Sequence, residues 1–512
     1  MLDIFAHICI GILIWAALLL CIWLLRPSSS CMRTPISRID RGAKAIICLV
    51  VAVEIALCSF SMALDSAYNG DDSGYRRQYE LIADSFLNGK LYFEYDADPL
   101  LEELDNPYDP DERKAAGVSD HWDHAYYDGH FYMYFGVVPA LLVFVPWKVL
   151  VGTPLETYHA TQLFTALIVI GFFFLFYRLA RRHFPHMPAG TYTALSVALS
   201  GASIWLFAAA PALYCTAISA GVCAMVWCFT LFLVAFDSDT AFGKTIACTV
   251  AGAVCGALAF GCRPPIALGN IVVIAMLVAY LRTNRLSKRK LIALFVAGLV
   301  PYIAVAIGLG AYNYARFGSV LEFGQAYQLT IADQHDYGFT LDRVDVIGGI
   351  PAFFRALFDP ARLTGSFPYV KPAGVFWMLP ILLVGCLLFF HKDVRGGLRR
   401  HRVLGAFAKS LPVVALIVVV LDLFMSPMWI YRYNLDVNWM FALSGFVSYG
   451  MLCETVTDKT RARIGSVAAL FALATVVSCV LFFLMPYDYS FGWKHPEALQ
   501  EIASIVTFGF GS

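Results

Sequence analysis

A chain of 512 residues that is 59% hydrophobic and 14% charged, with mean hydropathy +0.68, lies outside the range of water-soluble domains, where about a quarter of residues are charged. Its 37 basic and 37 acidic residues cancel, so net charge says nothing about partners, and charge matters only through its placement. The fourteen cysteines sit mostly in apolar runs without a CxxC pair, which argues against a disulfide framework and reads them as small hydrophobes.

A membrane span needs about 20 mostly apolar residues. Such runs fall at 4–25, 45–64, 158–179, 189–209, 213–236, 244–260, 264–281, 290–312, 372–390, 409–425, 434–452 and 464–485. The start, MLDIFAH, lacks a basic leader region, so the first run reads as a retained helix. The predicted fold class is an all-α integral membrane protein with about 12 transmembrane helices. A further apolar run at 134–151 is interrupted by Pro139 and Pro146 and reads as re-entrant or juxtamembrane. With that reading, 23 of the 37 lysines and arginines fall in loops on one side, which the positive-inside rule makes cytoplasmic. Both termini and two large loops then lie outside.

The organisation expected is two helices in 1–64, an extracytoplasmic loop at 65–157, a six-helix core at 158–312, a second outer loop at 313–371, four helices in 372–485, and a weakly structured outer tail at 486–512. The first loop carries 18 of the 37 acids and no cysteine. Within it Tyr75, Tyr79, Ile82, Phe86 and Leu87 recur at helical spacing, predicting an amphipathic helix lying on the membrane surface and ending at Asn88 and Gly89. Asp71 and Asp72 precede it. Asp72 reads either as an N-cap or as a catalytic carboxylate at the outer leaflet. Next, DHWDHAYYDGHFYMYFG packs Asp120, His121, Asp123, His124, Asp128 and His130 among Trp122, Tyr126, Tyr127, Tyr132 and Tyr134. Clustered Asp and His can hold a divalent metal such as Mg or Mn, although no ligand spacing is clean. Acids among flat rings also suit a sugar, and the rings alone suit an interfacial belt.

Beyond the first loop, arginines stand singly at outer span ends beside aromatic residues: Arg263 in GCRPP, Arg316 in NYARFG and Arg432 in IYRYNLD. Each alone reads as a snorkelling anchor, and three on one face suit the grip of a phosphate at headgroup level. Glu54 and Asp422 are acids within spans, where charge is costly. Asp422 is expected to reach water, and Glu54 to be protonated and hydrogen-bonded.

The segments QYELIADSFLNGKLYF (78–93), YYDGHFYMYFGVVPALLVFVP (126–146), GCRPP (261–265), YNYARFGSVLEFGQAYQL (312–329) and RYNLD (432–436) resemble the GT-C superfamily of polytopic glycosyltransferases. That group contains the protein O-mannosyltransferases and the aminoarabinose transferase of lipid A, and the pattern is most similar to an uncharacterised bacterial branch. The resemblance implies a multi-pass protein of the plasma (inner) membrane with an extracytoplasmic active site. It implies a polyprenyl-phosphate-linked sugar donor, a glycan, lipid or protein acceptor of the cell envelope, and inversion at the anomeric carbon. It also implies an acidic base early in the first outer loop. Asp72 and Asp71 match best, with Asp123 as a further catalytic candidate; Arg432, Tyr433, Arg263, Arg316, Asp128, Tyr132 and Glu322 are the expected substrate-binding residues. Two other classes fit the sequence: a transporter or lipid-linked-saccharide flippase using Glu54 and Asp422, and a non-catalytic envelope-assembly subunit sharing the fold.

Overall fold

The computed structural model describes residues 2–64, 77–118, 121–211, 213–336, 346–425, 431–486 and 490–509. The protein is an all-α polytopic membrane protein. Among the described residues ten helices are long and apolar enough to cross a membrane, and they coincide with ten of the expected runs: Ala6–Leu24, Arg41–Ala63, Thr157–His183, Ala189–Ala209, Tyr214–Ala235, Phe242–Gly261, Pro264–Thr283, Lys288–Phe317, Arg402–Leu423 and Asp458–Leu484. Their ends follow local chemistry. Asp40 accepts from the Ala43 amide to cap Arg41–Ala63, and Gly318, in the left-handed region, ends Lys288–Phe317.

The two remaining runs behave differently. Asn434–Thr455 is a 22-residue helix buried along nearly its whole length, including Asn434, Asp436, Asn438, Ser444 and Ser448. It is the axis of the bundle: Phe446 stacks on Phe176 at 3.9 Å and Trp439 on Phe229 at 5.6 Å. The run at 372–390 is broken into Val375–Met378, a 3₁₀ stretch Pro380–Cys386 and Leu387–Phe390, because Pro380 cannot supply the amide a continuous helix needs. The run at 134–151 forms a short helical piece, Ala140–Val151, as its prolines require.

Two expectations are corrected. Helix Gln78–Leu87 is not a surface helix; Tyr79 and Ile82 are fully buried, and so are the polar Gln78, Glu80 and Ser85. Glu80 faces inward because it accepts from the amide (2.9 Å) and hydroxyl (3.1 Å) of Thr157 and pairs with Arg77. The tail is helical rather than weakly structured: Phe491–Lys494 and Pro496–Thr507 fold back on the bundle. There Trp15 donates to the Val506 carbonyl at 3.1 Å, tying the first helix to the last.

The basic loops gather at one end, where Arg178 and Arg182 both pair with Asp237. At the other end the two large loops, the turns before residues 264 and 434, and the tail come together.

Candidate functional site

The site begins with a hairpin in the first loop. Strand β1 (Ala125–Tyr127) pairs antiparallel with β2 (His130–Tyr132) through a two-residue turn at Asp128 and Gly129. Both turn residues have positive φ, 49° and 73°, the conformation an Asp-Gly hairpin turn favours. The second loop adds an edge: the Asp123 amide donates to the Leu329 carbonyl, the Leu329 amide to His124, and the Tyr126 amide to Tyr327, each at 2.9 Å. On the far side the Phe93 amide donates to Phe131 at 2.9 Å. The chain then passes Gly136, where a Cβ would lie 2.2 Å from the Cys262 carbonyl oxygen. That glycine lets the first loop press against the turn that carries Arg263.

Asp123 precedes the hairpin with φ 57°, in the left-handed region that Asp tolerates. It is 3% exposed. Gln78 donates to its backbone carbonyl at 3.1 Å, and Gln328 of the second loop donates to its Oδ1 at 2.5 Å. Its Oδ2 is buried without a hydrogen-bond partner. Burial pushes the Asp123 carboxyl up to about 6, against the opposing pull of Arg432 and the Gln328 bond. Beside it, burial drives His124 down to about 3, so the ring is neutral, and its Nδ1 lies 2.9 Å from the Trp122 carbonyl as donor. Burial also raises the Tyr134 phenol, which feels the charges of Asp123, Arg432 and Arg263.

Arg432 and Tyr433 sit on the 3₁₀ turn Tyr431–Tyr433 that leads into the axial helix. The half-buried Arg432 guanidinium lies 3.7 Å over the Tyr214 ring and 5.9 Å from Tyr433. Among the described residues it makes no hydrogen bond and no ion pair. Arg263 is the opposite case. Its Nε and Nη2 donate to Asp436 Oδ1 and Oδ2, both at 2.7 Å, in a bidentate pair with a fully buried carboxylate. Asp422 lies within the field of this pair. It is 4% exposed, and among the described residues its Oδ2 has no hydrogen-bond partner, so the expectation that it reaches water is corrected. Glu54 accepts from Ser200 Oγ at 2.5 Å, the hydrogen bond expected of it.

The other expected residues lie around this centre. Arg316 donates to the Met133 carbonyl (2.7 Å) and Asn313 (2.9 Å) and stacks on Tyr312 and Phe317, so it supports the loop junction. Tyr132 packs with Ala125 and Phe317. Glu322 accepts from the Gly324 amide and shapes the second loop. Asp128 is exposed at the hairpin tip. Asp71, Asp72, Tyr75 and Asp120 lie outside the described residues. Among the described residues no group of three or more His, Cys, Asp or Glu side chains converges as a metal site.

Sequence reasoning passed over Gln78, Gln328, Asp436, Tyr214 and Lys494. Lys494 reaches from the tail to the Ala209 carbonyl at 2.9 Å, near Cys215, which also feels Arg432 and Arg263. Only Asp436 had a signal, an acid four residues after Arg432 at the start of a span. The amides carry none.

No family model matches the chain, and no curated protein does. Among solved structures it is similar to the crystal structure of ArnT from Cupriavidus metallidurans bound to undecaprenyl phosphate. The identity is 13%, the TM-score 0.40, and the match covers 91% of this chain and 78% of that one.

Proposed function

We propose that the protein is a membrane glycosyltransferase that moves a sugar from a polyprenyl-phosphate donor to a cell-envelope glycan, lipid or protein. The reaction is placed at the extracytoplasmic face of the plasma membrane. The observation that carries this is the Arg432 guanidinium, which among the described residues has no hydrogen-bond or ion-pair partner and lies within the field of the buried Asp123 carboxylate. A cation withdrawn from water without a carboxylate partner is costly, and an incoming phosphate removes that cost. An apolar groove of about 340 Å³, lined by Phe353, Val413, Leu416, Ile417, Val420 and Leu421, suits an isoprenoid chain.

The chemistry then needs one displacement. Asp123 accepts the proton of the acceptor hydroxyl as its oxygen bonds to the anomeric carbon. The carbon–oxygen bond to phosphate breaks on the opposite face, and the phosphate leaves with the electron pair as an anion that Arg432 neutralises. Inversion follows from the single displacement. General-base help of this kind contributes about 10²–10⁴-fold. The base works ionised, so activity is expected to fall as pH drops through about 6. Asp71 and Asp72 are the rival bases.

The test is deletion of the gene in its host, envelope-glycan analysis, and complementation with wild type and with Asp71→Asn, Asp72→Asn and Asp123→Asn. A sugar that is missing on deletion, restored by wild type and not restored by Asp123→Asn supports the reading. Restoration by all three variants removes the carboxylate mechanism.

A further inference from the structure

We propose that Gln328, in the second polar loop, is a positioning residue that holds the Asp123 carboxylate of the first loop in its working form. The inference rests on reading Asp123 as the proton acceptor. Three backbone bonds lace residues 123–126 to 327–329, and the side chain of Gln328, itself only 7% exposed, completes them by donating to Asp123 Oδ1. Gln78 grips the backbone carbonyl of Asp123 from the other side. The carboxylate is thereby fixed at its backbone and at Oδ1, and among the described residues no hydrogen bond reaches Oδ2. Its orientation is set by a loop some 200 residues away, so the base exists only when the two loops are docked.

The choice of an amide has a chemical reason. An arginine in its place would neutralise the carboxylate and make it a poor proton acceptor, as Arg263 does to Asp436. A hydrocarbon would leave both oxygens unsolvated and favour the protonated acid. A neutral donor stabilises the anion through one charge-assisted bond and keeps it basic. The other groups that face Asp123 are Arg432 from the turn before the axial helix, Tyr134 after β2, and Trp122 on its own segment. His124 is neutral above pH 3.

The test is infrared titration of the full-length protein in lipid nanodiscs, following the protonated-carboxyl band, with Asp123→Asn to identify the Asp123 component. It does not depend on any sugar donor. Wild type is expected to lose the Asp123 band with a midpoint near 6. In Gln328→Leu and in the shape-conserving Gln328→Met, the midpoint is expected to rise by about one pH unit or more, the effect of a lost bond to a charged group. Gln328→Glu, which sets a like charge beside the first, should raise it further. An Asp123 midpoint unmoved in both apolar variants overturns the proposal, even if their thermal stability falls, because a purely structural role lowers stability without moving the midpoint. That outcome leaves the transferase reading intact, since the glycan complementation decides it separately.

Discussion

Two arginines stand near Tyr433, at 5.8 Å and 5.9 Å from its ring, and serve opposite ends. Around Arg263 the turn at 261–265 meets a buried carboxylate that takes up both arms of the guanidinium, and the axial helix is locked to the bundle. Around Arg432 there are rings and an empty side, with Asp123 facing in from the loops. The same residue type is consumed in one place and left available in the other. Proximity of arginine to aromatics at a span end therefore does not identify an anion site; what decides is whether a carboxylate already holds the charge.

The largest expected effect breaks the first region. Arg263→Ala or Asp436→Asn leaves a buried charge unpaired, which costs about 3–5 kcal/mol. Either should lower the thermal unfolding midpoint in detergent sharply and reduce the yield of folded protein. If Arg263→Ala instead keeps its midpoint and loses only lipid binding, the contrast between the two arginines collapses.

Next comes Asp123, through pH. Its folded carboxyl is raised from 3.8 to about 6, so the folded protein favours the protonated form. The sign follows: that contribution to stability is full below the unfolded value and is lost as pH rises through about 6. The loss is about 3 kcal/mol at 1.4 kcal/mol per unit. Asp123→Asn lacks this dependence, so its stability relative to wild type should grow by up to that amount between about pH 4 and pH 7. Chemical denaturation of the two proteins across that range measures it. A flat difference means the carboxylate is not held as the geometry describes.

Breaking the second region should be nearly silent for the fold. Arg432→Ala removes no ion pair among the described residues, so unfolding is expected to shift little. Binding of undecaprenyl phosphate, the probe used, should weaken by about 10–100-fold, as for a lost hydrogen bond to a charged group. Arg432→Lys should recover part of it, because lysine keeps the charge but not the planar fork. Binding by calorimetry in nanodiscs reads both.

Much of the fold was legible because a membrane allows so few solutions: runs of about 20 apolar residues become helices, and eleven of the twelve did, all but the run at 372–390. Reading failed where burial within protein mimics surface polarity. Gln78, Glu80 and Ser85 have the composition of a wet helix face, yet all three are buried, and Gln78 and Glu80 point inward to partners on other segments. In the site, Asp123 and Arg432 stood out as charges beside rings. That Arg263 is consumed by Asp436, 173 residues on, has no local signature, and neither has the neutral Gln328. Pairing across such separations is a property of the packed bundle.

The smallest expected effect tests the residue the two regions share. Tyr433 faces both guanidinium groups at nearly equal distance, so distance alone predicts equal losses when its ring is removed. The bonding does not. Arg263 is fixed by two charge-assisted bonds and needs no ring to hold it, whereas among the described residues Arg432 is oriented by Tyr433 and the closer Tyr214. A cation–π contact contributes about 0.5–1 kcal/mol when exposed and more when desolvated. Tyr433→Leu is therefore expected to weaken undecaprenyl phosphate binding by about threefold to tenfold, while Tyr433→Phe, which keeps the ring, should bind nearly as wild type. Made in an Arg432→Ala background, Tyr433→Leu should cost no further affinity, because the cation it orients is gone. A full additional loss there would mean that Tyr433 contacts the lipid itself or acts through Arg263, and the division between the two arginines would have to be redrawn.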